Sequence, residues 1–184
     1  DMVRDRTLAL EDANRQLAAL SATDPLTGLA NRRAFDAAID AEWRRAQRRG
    51  GGLTAAMVDV DWFKRYNDQY GHPAGDSCLR QVAQALRATA QRAGDVVARY
   101  GGEEFVVLTS SSPDSLDGFA QSLRAAVTRL ALPHAGSPFG HVTISVGVAH
   151  GVPGEGDSPD RLIDRADRAL YRAKQAGRDR VAQG

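Results

Sequence analysis

Arg99-Tyr100-Gly101-Gly102-Glu103-Glu104-Phe105 sets two glycines and two acids between apolar runs. The flanking segments 95–99 and 105–108 read as strands, and two glycines between strands permit the positive φ angles of a tight turn. A β-hairpin is therefore predicted, with Glu103 and Glu104 at its tip. Gly101 and Gly102 leave that tip bare, so a phosphate or a base can approach the backbone closely. Adjacent residues on a strand point to opposite faces, which leaves one glutamate for a cation and the other for a second task. Taken alone, such a motif is an ordinary surface hairpin with solvated acids, and its meaning depends on the sequence around it.

Outward from the hairpin, 53–60 reads as a buried strand with Asp59 near its end, followed by a short helix over 62–70 and a longer one over 74–93. Leu79, Val82, Ala83 and Leu86 recur at helical spacing and are expected inward. Asp61 would share the face of Asp59 if the strand continued, but a turn into helix there argues against it as a ligand. Beyond the hairpin come a helix over 119–132, a strand over 141–149, a helix over 159–176 and a short strand over 179–181. Upstream, Asp24-Pro25-Leu26-Thr27-Gly28 has turn chemistry, and Asn31 can cap a helix running through Phe35, Ile39 and Trp43 until Gly50-Gly51-Gly52 ends it. The core order β-αα-β-β-α-β predicts an α+β fold of ferredoxin-like type. It has a central, mostly antiparallel sheet of about five strands, with helices on one face and an edge.

The 184 residues suit one compact domain, 23–184, behind an N-terminal helical linker over 1–22. In that linker Val3, Leu10 and Leu17, with Ala13 and Leu20, make a short heptad-like stripe that would be stabilised by a second copy or an upstream helix. A hydrophobic share of 42% and a charged share of 26% exclude a disordered or disulfide-held chain. Basic and acidic residues nearly balance, 24 against 23, which gives no case for a nucleic-acid partner. Cys78 is the lone cysteine, on a predicted apolar helix face, and fits a buried thiol in a reducing cytoplasm. The apolar stretch over 142–149 is too short to span a bilayer. The chain opens at Asp1 in mid-pattern, so a fragment is expected, with an N-terminal partner region, a membrane anchor among the options, lying upstream.

Met57-Val58-Asp59-Val60-Asp61-Trp62-Phe63-Lys64-Arg65-Tyr66-Asn67-Asp68, then Gly71-His72-Pro73-Ala74-Gly75-Asp76, then the hairpin, together resemble the GGDEF family of diguanylate cyclases in its GGEEF variant. The similarity runs from Asp24 through Arg178, with Ala173-Lys174-Gln175-Ala176-Gly177-Arg178 as its last motif. The resemblance implies a nucleotidyl-cyclase core that condenses two GTP into cyclic di-GMP and two pyrophosphates. It implies Mg²⁺ or Mn²⁺ on Asp59, the Val60 carbonyl and Glu103, with Glu103 or Glu104 accepting the 3′-hydroxyl proton. Phe63 and Lys64 open a helix whose first amides suit an anion, and Lys64 is placed to neutralise transition-state charge. Lys174 and Arg178, four apart on one helix face, are expected to grip the β- and γ-phosphates. Asp76 and Asn67 are the expected guanine readers, which favours GTP over adenine nucleotides, and His72 is expected to support the loop beside them.

Arg92-Ala93-Gly94-Asp95 resembles the Arg-x-x-Asp site at which such proteins bind their product, with Arg124 as a further arginine, although Ser122 lies closer to that position by spacing. The implied partners are GTP, cyclic di-GMP as inhibitor, a second copy in a two-fold dimer, and an upstream sensory domain. The alternative is a noncatalytic sensor of GTP or cyclic di-GMP; the retained acids and Lys64 count against it.

Overall fold

The computed structural model describes residues 2–154 and 156–184. Its hub is β1 (Leu53–Val60), all eight of whose residues are buried. β1 pairs antiparallel with β3 (Glu104–Thr109) on one side and with β4 (Ile144–Gly151) on the other. β2 (Val96–Arg99) joins the free edge of β3, and β5 (Val181–Gln183) runs parallel to β4, giving the order β2-β3-β1-β4-β5. The sheet is thus mostly antiparallel, as its sequence order implied.

Among the described residues the helices are α1 (Met2–Leu20), α2 (Arg32–Arg49), α3 (Phe63–Tyr70), α4 (His72–Thr89), α5 (Leu116–Thr128) and α6 (Pro159–Gln175), of which α2, α4, α5 and α6 supply the main packing on the sheet. They cover both faces of the sheet, not one face and an edge as expected. Alternate residues of β1 enter two separate cores. Ala56, Val58 and Val60 pack with Leu79, Val82 and Leu86 of α4 and Leu123 of α5. Leu53, Ala55 and Met57 pack with Phe35 and Ile39 of α2 and Leu162 and Leu170 of α6. Two cores explain why β1 reads as an apolar run up to Asp59, interrupted by Thr54 alone.

Local chemistry sets the boundaries. Asn31 Oδ1 accepts from the Ala34 amide at 2.9 Å to start α2, and Gly50 in the left-handed region ends it. α4 starts at His72, two residues before the expected 74, because Pro73 fits a first helical turn where no N–H is needed. His72 is therefore the first helical residue of α4. α5 lies earlier than the expected 119–132: a 3-10 turn at Pro113–Ser115 feeds into it, and Ala131 at φ 49° cannot continue a helix. β5 begins at Val181, not 179, because Arg178 and Asp179 carry positive φ. β4 likewise begins at Ile144 and not at 141.

The hairpin differs from expectation in its turn. Four residues, 100–103, link β2 to β3, and neither Gly101 nor Gly102 is in the left-handed region. A loop of that length does not need the primed turn that two residues would. In α1, Leu8, Leu10 and Leu17 are exposed, while the side chains of Val3 and Leu20 lie outside the described residues. Among the described residues, no helix is long and apolar enough to cross a membrane.

Candidate active site

The acids meet at the end of β1. Asp59 stands opposite Glu104 across the β1–β3 ladder, and the Val60 amide donates to the Glu103 carbonyl at 3.2 Å. Glu103 belongs to the loop and not to the strand, so simple strand alternation does not separate the two glutamates. Asp59 is 7% exposed, and Lys174 Nζ sits 2.7 Å from its Oδ2. Burial pushes the Asp59 carboxyl up to about 6; the Lys174 ammonium pulls against that, and the Glu103 and Glu104 charges add to it.

Among the described residues, no three acid, histidine or cysteine side chains converge as a ready metal cage. The donors are nevertheless those of a hard cation. Mg²⁺ uses one or two carboxylates and completes its shell with water and substrate phosphate, and Asp59 already holds a cation, the ammonium of Lys174.

Arg99 braces the hairpin. Its Nε and Nη2 donate to the Gly102 carbonyl at 3.0 and 2.8 Å, and its Nη1 reaches Asp24 Oδ1 at 3.2 Å. Asp24 Oδ2 also accepts from the Thr27 amide and hydroxyl at 2.9 and 2.7 Å. Burial pushes the Asp24 carboxyl up, but the Thr27 hydrogen bonds and the Arg99 charge outweigh it and hold it below the usual range. The turn behind α1 is thereby tied to the loop carrying Glu103, a link that reading the motifs one by one missed. A Cβ at Gly102 would meet nothing within 4 Å, so the tip is open, as the paired glycines implied.

No side chain caps the N-terminus of α3 at Phe63 and Lys64. Phe63 is buried and Lys64 exposed. Asn67 lies over Gly75 of α4, where a Cβ would come within 1.8 Å of its Oδ1, and that oxygen is buried without a hydrogen bond. His72 and Asp76, one turn apart on α4, are exposed.

Asp61, set aside as a ligand, has a structural role. It is 1% exposed and accepts from the Thr143 hydroxyl at 2.7 Å, the Ser145 hydroxyl at 2.6 Å and the Asp179 amide at 3.0 Å. It holds the turn after α6, and Arg178 in that turn lies 4.1 Å over the Trp62 ring.

Arg92 and Asp95 sit together on a turn where the Arg92 amide donates to Asp95 Oδ2 at 2.9 Å, while Asp95 Oδ1 is buried without a partner. Both line a cavity of ≈ 350 Å³ with Ser111, Phe119 and Ser122. Arg124 is not brought there: its Nη1 pairs with Asp179 Oδ1 at 2.9 Å. Ser122, two residues earlier on α5, lines the cavity and Arg124 does not. Cys78 is buried, and burial pushes its thiol up to about 11, as an inert core thiol requires.

The family description "Diguanylate cyclase, GGDEF domain" matches residues 21–180. The response regulator PleD of Caulobacter vibrioides is 44% identical over 170 residues, covering 88% of this chain and 36% of that protein. Diguanylate cyclase DgcP of Pseudomonas aeruginosa is 44% identical over 160 residues, covering 86% and 23%. The chain thus spans about a third or less of the length of these relatives. The crystal structure of the coiled coil and GGDEF domain of DgcB from Caulobacter crescentus, in complex with c-di-GMP, superposes with a TM-score of 0.80 at 32% identity, covering 100% of this chain and 97% of that one. Diguanylate cyclase SiaD of Pseudomonas aeruginosa, in complex with its activator SiaC, gives 0.79 at 35% identity, covering 100% and 70%.

Proposed function

We propose, from the premise that this chain belongs to the GGDEF family of diguanylate cyclase domains, that it condenses two GTP into cyclic di-GMP and two pyrophosphates. The observation that carries this reading is the meeting of Asp59, Glu103, Glu104 and Lys174 at the end of β1. In each of two symmetric half-reactions the 3′-oxygen of one GTP bonds to the α-phosphorus of the other. The bond to pyrophosphate breaks, and the hydroxyl proton passes to Glu103 or Glu104. Lys174 and Arg178 hold the outer phosphates, Lys64 offsets charge at the reacting centre, and the uncapped start of α3 supplies amides. Asn67 and Asp76 read guanine, with His72 beside them, while Gly101 and Gly102 leave room for the nucleotide. Mg²⁺ or Mn²⁺, held by Asp59, the Val60 carbonyl and Glu103, would supply charge neutralisation at the phosphates.

One domain holds one GTP in this reading, so catalysis requires a two-fold pair of copies. Residues 1–22 serve as the helix that sets this pairing for an upstream sensory domain, and residues 23–184 form the catalytic unit. The exposed Leu10 and Leu17 of α1 support the pairing role. Cyclic di-GMP acts back through Arg92 and Asp95, which line one cavity and of which Asp95 keeps a buried oxygen without a hydrogen bond. GTP is a cytosolic nucleotide, which places the domain in the cytoplasm whether or not the protein is anchored elsewhere.

The test is incubation with GTP and Mg²⁺ over a series of protein concentrations, with nucleotides resolved by chromatography. Cyclic di-GMP should form at a rate per chain that rises with protein concentration, and a Glu103→Ala/Glu104→Ala chain should make none. GTP binding without product at any concentration would turn the reading to a noncatalytic sensor.

A further inference from the structure

We infer that Trp62 is a positioning residue: its indole ring holds the Arg178 guanidinium in place to receive the outer phosphates of the nucleotide. This deepens the proposed function and rests on it through the phosphate role of Arg178.

Backbone strain gathers around Trp62. Among the described residues four non-glycine residues have positive φ: Trp62 at 56°, Ala131 at 49°, Arg178 at 65° and Asp179 at 43°. The left-handed region disfavours side chains with a Cβ, and for a bulky residue such as Trp it is a genuine outlier. Three of the four meet at one point: Arg178 stacks on the Trp62 ring at 4.1 Å, and the amide of Asp179 donates to Asp61, the neighbour of Trp62. Strain of this kind persists only where the surroundings over-determine it, and it gathers at functional sites.

The surroundings here are specific. His134 Nε2 donates to the Trp62 carbonyl at 3.1 Å, because a carbonyl can only accept. This pins the backbone of Trp62. Arg65 stacks on the same indole, with its guanidinium 4.0 Å over the ring. Trp62 Nε1 is buried with no hydrogen bond, so the side chain is held by stacking and not by its polar handle. Two guanidiniums at one ring repel each other, and the attraction of each to the π-system offsets that repulsion. Asp61, tied to Thr143 and Ser145, fixes the other end of the clasp. A long arginine side chain that would otherwise sample many rotamers is thereby ordered before the phosphate arrives. A smaller side chain at 62 would leave Arg178 its charge but not its place.

Binding of inorganic triphosphate with Mg²⁺, followed by calorimetry on the full chain, tests this apart from turnover. Arg178→Ala should weaken triphosphate binding at least tenfold, and Trp62→Ala by about tenfold. The double variant should be no weaker than Arg178→Ala alone, because the ring acts only through the guanidinium. Trp62→Phe should recover most of the affinity, and Trp62→Gly, which removes the strain along with the ring, should fold well and bind as poorly as Trp62→Ala. For GTP turnover, Trp62→Ala should raise KM more than it lowers kcat. Unchanged affinity in Trp62→Gly, or losses that add in the double variant, would overturn the inference while leaving the phosphate role of Arg178 standing. Unchanged affinity in Arg178→Ala would overturn that role and the inference with it.

Discussion

Lys174 Nζ lies 2.7 Å from Asp59 Oδ2, joining the last turn of α6 to the end of the central strand across the floor of the site. The carboxylate side chain is 10% exposed and the lysine side chain 28%. Removing the ammonium leaves a mostly buried charge beside two glutamates. Lys174→Met should therefore lose about 2 kcal/mol of stability in urea denaturation without nucleotide, less than a fully buried pair because water reaches the lysine. Millimolar Mg²⁺ should raise the melting temperature of this variant more than that of the parent, since a second cation then takes the vacated side of Asp59. Equal shifts in the two proteins would contradict this account of the cluster.

Asp61 should prove more important to folding than its position in the motif implies. Asp61→Ala strands the Thr143 and Ser145 hydroxyls and the Asp179 amide in a buried setting. The expected cost is about 3 kcal/mol or more by chemical denaturation. Asp61→Asn should cost less, because one acceptor oxygen survives. A cost within 0.5 kcal/mol of zero for Asp61→Ala, the ordinary range of surface changes, would show that the network is not a structural anchor.

Gly147 sets the contact of α6 with the sheet. A Cβ there would fall 2.0 Å from the Leu170 amide and 2.1 Å from the Ala166 carbonyl, both backbone atoms of the helix. Gly147→Ala must push α6 away from β4, and Lys174 and Arg178 move with its C-terminal end. We expect a loss of about 3 kcal/mol and weaker GTP binding even in chains that remain folded. Calorimetric titration of GTP alongside thermal melting would separate the two effects.

His134 predicts a pH dependence of stability. Burial lowers its pKa from 6.5, the Trp62 carbonyl opposes that shift, and the charge of Arg65 adds to it; Tyr66 packs edge-on against the ring. The folded state then binds fewer protons than the unfolded chain between the lowered value and 6.5. Stability is therefore present in full above 6.5 and falls as pH drops through that window. Urea midpoints measured from pH 7.5 down to pH 5.5 (roughly one unit either side of the free imidazole) should decline more steeply in the parent than in His134→Gln. Parallel declines would assign the acid sensitivity to other groups.

Arg92→Ala should abolish inhibition by added cyclic di-GMP while leaving the initial rate of GTP turnover unchanged. The side chain lies on the turn at Asp95, apart from the Asp59 cluster. Arg124→Ala should leave inhibition in place and lower stability modestly, since its partner is Asp179. Rates measured with and without product distinguish the two variants, and retained inhibition in Arg92→Ala would remove this turn from the regulatory reading.

Much of the fold and the site was legible along the chain because the signals are local. The Asn31 cap, the Gly50 stop and the largely apolar run of β1 each act within a few residues, whereas Lys174 and Arg178 do not share the expected helix face, because α6 ends at Gln175 and Arg178 lies in the turn beyond it at φ 65°. The acids of the hairpin could be placed together with Asp59 only through their resemblance to a family, and the ladder then set Asp59 opposite Glu104. Where local reading failed, a long-range partner had intervened. The hairpin loop needed no left-handed glycine, and Arg124 turned to Asp179, 55 residues away in sequence. Asp24 met Arg99 across 75 residues, and Asp61 met the Asp179 amide across 118.

Residue type and spacing decided which segments would be helix or strand and which acids were available, since backbone propensity and periodicity are properties of neighbours. Which carboxylate lies beside a cation and which one anchors the fold was decided by the packed sheet. Asp59 and Asp61 are two residues apart and chemically identical, yet one faces Lys174 and the other three donors, from Thr143 just before β4, Ser145 within it and the turn after α6. Only tertiary contact surrounds a side chain with charges and dipoles from distant segments, and those surroundings give identical carboxylates different work.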